Sequence, residues 1–327
     1  MTLEDAGKPA AATAFSGEWL ALREPFDSRA RAATPVERSS TEITRLVDLG
    51  CGTGANLRHL APRLGGRQHW HLIDHDPLLL AQVAPRLQRW ARRRGWRFTD
   101  SAASAPMAVS GDGFDARITL RRLDLAADPA GISLAGVQWV TTSALLDLVS
   151  AGWLQRLVDH CARHRAAVHW ALSYDGRITW SPADPLDEAV TDALNRHQLG
   201  DKGFGSALGP AAASVAQQSL QAAGYVVRSH DSPWTITAAG VGARILGAPA
   251  AAYASTGGGA DTDADADADA DALQAALIDG WTAAAIETDG TRRDDYIAWA
   301  ARRRRWSSGG TSVLRVGHRD LIAVPGL

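Results

Sequence analysis

The chain has 327 residues, 46% of them hydrophobic, and a formal net charge of −2, so it can bury a sizeable core and sets up no global field toward nucleic acid or an anionic membrane. No apolar run reaches the length of a membrane span, and the two cysteines, Cys51 and Cys161, form neither a disulfide framework nor a metal-binding spacing. These features predict a cytoplasmic protein with no membrane partner, no nucleic-acid partner and no metal.

Residues 1–15 are Ala-rich and charged without a signal-peptide core, and read as disordered. Ser16–Ala33 is periodic as an amphipathic helix, with Trp19, Leu20, Leu22 and Phe26 on one face and Arg23, Asp27 and Arg31 beside it. It belongs to a helical cap over residues 16–44. The first strand is Arg45–Asp48, followed by a glycine loop and a helix ending near Gly65. A second strand, Gln68–Ile73, stops at Asp74, and Pro77 opens a long helix through Arg94. Arg117–Leu125 alternates as a third strand, and Val137–Thr142 is a fourth. Helical patterns over Ala144–Val149 and Trp153–His164 lead to a fifth strand, Ala167–Ser173, which a turn at Tyr174-Asp175-Gly176 closes.

Residues 182–209 read as an irregular, polar insertion on the substrate side, followed by a helix over Ala211–Ala223 and a sixth strand, Tyr225–His230. Residues 254–272, glycines and then alternating Asp and Ala, repel one another and bury nothing, which predicts a disordered linker. Helices over Ala272–Glu287 and Asp294–Arg305 precede a seventh strand, Ser312–Ala323, and the run Arg302–Arg305 reads as a solvated helix end. Strands alternating with helices predict an α/β protein: a Rossmann-like, doubly wound, mostly parallel sheet of seven strands with helices on both faces, in a single domain over 16–327.

The most specific segment is Arg45-Leu46-Val47-Asp48-Leu49-Gly50-Cys51-Gly52-Thr53-Gly54. Glycines at every second position allow a sharp turn and the close approach of a ligand, and the helix after them aims its free N–H groups at whatever the loop holds. A dinucleotide loop would space its glycines G-x-G-x-x-G; here the spacing is G-x-G-x-G, with an acid two residues ahead that would repel a pyrophosphate and suits a cationic amine. The segment resembles motif I of class I S-adenosylmethionine (SAM)-dependent methyltransferases. That resemblance implies SAM as cofactor, S-adenosylhomocysteine as product, and an antiparallel last strand. Trp19–Pro25 and Asp201–Pro210 also look like a group of bacterial SAM-dependent methyltransferases of unassigned substrate.

Each part of SAM finds a candidate residue. Gly50, Cys51, Gly52 and Gly54 line its methionine portion with Asp48 near the ammonium, and Arg23 is either a partner for its carboxylate or paired with Glu24 or Asp27. Asp74, with His75 beside it, is placed at a strand end to accept both ribose hydroxyls, as a carboxylate does bidentately; Asp76 is better suited to cap the helix at Pro77. Asp124 accepts from the adenine amine while Leu125 packs on the ring, and Ser143 lies at the end of the fourth strand.

Methyl transfer needs an aligned nucleophile and, for a hydroxyl, removal of its proton. His197 is the expected base, with Asp201 or Asp147 orienting it. Lys202 holds a carboxylate or an oxyanion, and Tyr174, Trp153 and Phe204 shape the acceptor pocket. The reading is methyl transfer to an oxygen or nitrogen of a small molecule, by a monomer or a homodimer. Its rivals are an RNA or protein methyltransferase, aminopropyl transfer from decarboxylated SAM, and a non-catalytic SAM-binding module.

Overall fold

The computed structural model describes residues 15–36, 42–100, 106–127, 129–238 and 262–326. Most of the expected disordered start, and residues 254–261 of the expected linker, lie outside them.

Helix α1 (Gly17–Ala30) begins at Ser16, whose hydroxyl accepts from the Trp19 N–H at 3.0 Å. Strand β1 (Ile43–Leu49) enters the glycine loop, and α2 (Ala55–Leu64) leaves it. Strand β2 (Gly66–Asp74) follows. The single long helix expected after Pro77 is two, α3 (Pro77–Leu80) and α4 (Val83–Arg93), because Gln82 N–H turns to Leu79 O and tightens the chain. Asp76 caps α3 by accepting from Leu78 N–H at 2.7 Å.

Next come the hairpin β3 (Arg97–Thr99) and β4 (Met107–Gly111), then β5 (Phe114–Arg122), β6 (Trp139–Ser143), a 3-10 turn over Leu146–Leu148, and α5 (Ala151–Arg163). Strand β7 (Ala167–Ser181) runs straight through Tyr174-Asp175-Gly176, where a turn was expected. A register shift in its partner strand between Val316 and His318, and a left-handed Gly176 at φ 85°, absorb those turn-forming residues as an irregularity of the ladder.

The insertion is not irregular either, since α6 (Asp187–Gln198) occupies its middle. Val190, Ala193 and Leu194 bury one face of α6, acids fill its first turn and Arg196 and His197 its last, all in the sense the helix dipole favours. After α7 (Ala212–Ala222), β8 (Tyr225–Asp231) and β9 (Trp234–Thr237), α8 runs from Thr262 to Thr288, through most of the expected linker. The alternating alanines favour helix, and the dipole favours acids near a helix amino end. Helix α9 (Arg293–Ser308) and β10 (Val313–Pro325) complete the chain.

The strands form one sheet in the order β3-β4-β5-β2-β1-β6-β7-β10-β8, with β9 paired to the first part of β10. Strands β5, β2, β1, β6 and β7 are parallel, and β10 lies antiparallel between β7 and β8. This is the doubly wound α/β order with an antiparallel last strand that was expected. The hairpin strands β3 and β4, and β9, extend it beyond seven.

Helices α2 and α4 cover one face through Leu46, Trp70, Leu72, Leu87 and Ile118, and α5 and α7 cover the other through Val47, Val140, Leu154 and Leu220. Among the described residues, cover on the second face is incomplete. The connection from β5 to β6 carries only a 3-10 turn, Pro129–Gly131, among its described residues, so Arg45 and Arg117, on either side of His69 in one cross-strand row, are exposed. Beyond the parallel strands, the ends of β7 and β10 continue into a third core with α1, α6, α8 and α9, including Trp180, Trp281 and Trp299. There Arg302 pairs with Asp184, the buried Arg303 with Asp187, and Arg304 with Asp279, so the run expected to be solvated largely fastens α9 in place. No helix among the described residues is long and apolar enough to cross a membrane.

Candidate functional site

The parallel strands deliver the glycine loop and the residues after β6 and β7 to one edge of the sheet, where doubly wound folds bind ligands. Gly50, Gly52 and Gly54 all adopt left-handed backbone, at φ 63°, 52° and 82°, which explains the spacing in the sequence. Helix α1 closes over them: a Cβ on Gly52 would stand 2.9 Å from the Leu20 side chain. Glu24 of α1 holds Arg58 of α2 at 2.6 Å, and Arg58 in turn donates to Thr53 O at 2.7 Å.

Asp48 is fully buried beneath the loop. Its Oδ1 accepts from Asn56 Nδ2 at 2.6 Å and from Thr141 Oγ1 at 2.8 Å, whereas its Oδ2 and the Asn56 Oδ1 are buried acceptors without a partner. Burial pushes the carboxyl up to about 6, against the pull of those two hydrogen bonds and the charge of Arg31. Two orphan acceptors side by side suit a cationic donor. Cys51 only fills space: its thiol reaches Gly52 O at 3.7 Å and burial holds its pKa high.

Asp74 ties the loop to β2. Its Oδ2 accepts from Gly52 N–H at 2.7 Å and its Oδ1 from Asp76 N–H at 3.0 Å, which leaves each oxygen a further lone pair. His75 is exposed, with Nδ1 3.5 Å from Asp74 Oδ1. Asp124 is exposed nearby and closes a turn by accepting from Ala126 N–H at 2.9 Å; Leu123 N–H donates to Asp74 O at 2.9 Å. Leu125 does not present its side chain to a ring site. It is buried in the core, and its carbonyl accepts from Trp153 Nε1 at 2.6 Å.

The acceptor-side residues fare less evenly. His197 meets neither Asp201 nor Asp147: its Nε2 lies 3.2 Å from Glu287 of α8. Asp201 is spent on its own loop, accepting from Gly203 and Gly205 N–H groups at 2.7 and 2.9 Å, because a short acid before glycines folds back on them. Lys202 is half-buried in the same loop. Trp153 is 1% exposed and meets Phe204 edge to face at 5.3 Å, so this pair is packing rather than pocket wall. Arg23 is committed to Asp27 through two hydrogen bonds, 3.0 and 3.2 Å, and lies 5.0 Å over the Trp234 ring; of its expected roles, the pairing with Asp27 is the one observed.

Asp147 and Tyr174 do fall together, in a group the sequence did not foretell. Asp147 follows β6 and half-buried Ser143, and its buried Oδ1 has no partner. Burial pushes its carboxyl up to about 6, and the charge of Arg23 draws it back. Tyr174 donates to Asn195 Oδ1 at 2.8 Å; burial and the charges of Asp175 and Asp147 hold its hydroxyl protonated. His318 of β10 lies 6.2 Å from the Tyr174 ring and 4.7 Å from Trp234, and burial, helped by Arg23, lowers it to about 3. Nothing in the local pattern around His318 or Trp234 marks either residue; only the pairing of β10 with β7 and β9 brings them here.

No family model and no curated protein matches the chain. Solved structures similar to it include a phosphoethanolamine N-methyltransferase 2 of Haemonchus contortus bound to phosphomonomethylethanolamine and S-adenosylhomocysteine (10% identity, 96% of this chain and 58% of that one, TM-score 0.42). Others are the SAM-dependent methyltransferase SibL (17%, 65% and 52%, 0.40) and a putative sarcosine dimethylglycine methyltransferase of Galdieria sulphuraria (12%, 93% and 84%, 0.35). The chain spans little more than half the length of the first two. Likeness this distant carries no argument about chemistry, which rests on the geometry above.

Proposed function

We propose that the chain is a class I SAM-dependent methyltransferase acting on an oxygen or nitrogen of a small molecule. One observation carries the reading: three left-handed glycines lie between a buried acid with a free acceptor oxygen and the Asp74 carboxylate, at the carboxyl ends of β1 and β2. These residues fit SAM. Asp48 and Asn56 would receive its ammonium, the glycine loop its methionine backbone, Asp74 the ribose hydroxyls and Asp124 the adenine amine. When bound, SAM supplies an electrophilic methyl on a sulfonium.

The chain's own part is then to align the nucleophile and move its proton. Asp147 is the better base. It is half-buried after β6 with an unpartnered oxygen, and a carboxyl raised to about 6 stands near working pH. Tyr174 and His318, both buried, fix the wall beside it.

The test is incubation with methyl-labelled SAM and a metabolite extract, followed by identification of the labelled product; label in no product, with SAM left intact, would sink the enzyme reading. An RNA acceptor is the second reading, favoured by exposed Arg45 and Arg117 on either side of His69. Labelled RNA, bound with a steep salt dependence, would select it.

A further inference from the structure

Beside the Asp147 group, on the other side of β7, a cleft of 370 Å³ is lined by Asp175, Arg177, Pro210, Ser214, Gln217 and Arg319, among others. Helix α7 and the 3-10 turn before it, Gly209–Ala211, form one wall and pack against the turn that carries Asp147. The other wall is β7 and β10.

This wall is built with care. The Asp175 carboxylate is buried, with its side chain 7% exposed, and accepts from Arg177 N–H at 3.1 Å, from its Nε at 2.9 Å and from its Nη2. It lies so close over Gly317 that a Cβ there would collide with it. Left-handed Gly176 brings the chain against Pro210, where a Cβ would stand 2.9 Å from that ring. Two positions kept bare thus seat one acid, and that acid orients one guanidinium. Arg177 also reaches Asp231 at 3.1 Å, and Arg319 reaches Asp231 at 3.4 Å and Ser229 Oγ at 3.4 Å. Both arginine side chains remain open, at 59% and 40% exposure. The lining holds two guanidinium groups and one carboxylate, and Asp231, outside that lining, pairs with both arginines.

We propose that this cleft is a subsite that takes an oxyanion, carboxylate or phosphate. The proposal goes beyond the methyltransferase reading and does not depend on it. The Nε and Nη2 groups of Arg177 are held by Asp175 and Asp231, which fixes the guanidinium and leaves Nη1 to donate to an oxyanion. Gln217 faces the same space with an uncharged amide, beside Ser214, whose hydroxyl donates to Ala211 O at 2.8 Å.

The test is calorimetry on the full chain saturated with S-adenosylhomocysteine, with inorganic phosphate in one arm and benzoate in the other. Saturable binding in at least one arm is expected, and the stronger arm tells phosphate from carboxylate. The Arg177→Gln/Arg319→Gln variant should weaken it by ~10-fold or more. Ser214→Asp, which leaves the Asp175 pair untouched, should weaken it likewise. Unchanged S-adenosylhomocysteine affinity in both variants shows an intact fold. Failure of both anions to bind, or binding that survives both substitutions, would overturn the proposal. Anion binding in a protein that ignores S-adenosylhomocysteine would defeat the methyltransferase reading and leave the anion site standing.

Discussion

The glycine-loop side of the binding edge and the Asp147 side are built on different principles. On the first, Asp48, Asn56, Gly52 and Asp74 come from one β-loop-α-β passage, and their hydrogen bonds join neighbours within it, Asn56 to Asp48 and Gly52 to Asp74. On the second, Arg23, Asp147, Tyr174, Trp234 and His318 arrive from α1, the turn after β6, β7, β9 and β10, and meet only because the last strand doubles back between β7 and β8. The local unit carries a ligand chemistry in its own backbone. The assembled unit takes its chemistry from topology, so its residues can change without disturbing the loop. That independence is what substitution can break.

The largest effect is expected on the assembled side. Asp147→Asn should lower kcat for the labelled acceptor by ~100-fold or more, the usual worth of a positioned base, with S-adenosylhomocysteine affinity unchanged. His197→Ala, which removes only a contact with Glu287, should cost less than ~3-fold, within the range of a weak exposed ion pair. Reversal of that order would return the base to His197. On the local side, Asp74→Ala should weaken S-adenosylhomocysteine by ~100-fold in calorimetry, because it removes charged hydrogen bonds to the ligand and frees Gly52 N–H. Exposed Asp124, changed to Ala, should cost ~10-fold at most. Equal losses at Asp74 and Asp124 would deny the loop its privileged acid.

The same division explains what could be read from the chain. The glycine spacing, the acid ending β2 and the alternation of strands with helices were legible, because a left-handed loop position, a strand-end carboxylate and a change of period each leave a mark on a short stretch. Asp76 as the cap of α3 was legible for the same reason. The pairing of His197 with Asp201 was misread because a histidine beside an acid in sequence looks like a paired base, whereas the helix α6 that carries it turns it toward α8. Trp153 and Phe204 looked like pocket walls, but an aromatic in sequence does not say which side of a helix is dry. The helix through the Asp and Ala repeat was hidden by its charge, which argues for disorder until the alanine content and the helix dipole are weighed against it.

A smaller effect probes the interior of the local side. Asp48 is buried with its carboxyl raised from 3.8 to about 6, so the folded state holds that proton to a higher pH than the unfolded chain does. Its ionisation therefore costs stability progressively as pH rises from about 4 to above 6, to a total of about 2–3 kcal/mol. Asp48→Asn keeps an acceptor for Asn56 and Thr141 and removes the charge. The variant should match the wild type in melting temperature near pH 4 and exceed it by a few degrees at pH 7.5. Its affinity for S-adenosylhomocysteine should fall at pH 7.5, where the buried oxygen would otherwise face an ammonium. A melting-temperature gap that does not change with pH would mean that the folded chain does not hold the Asp48 proton at raised pKa. A gap with the expected slope and undiminished affinity would move the ammonium from Asp48 to Asn56, whose Oδ1 is the other orphan acceptor under the loop.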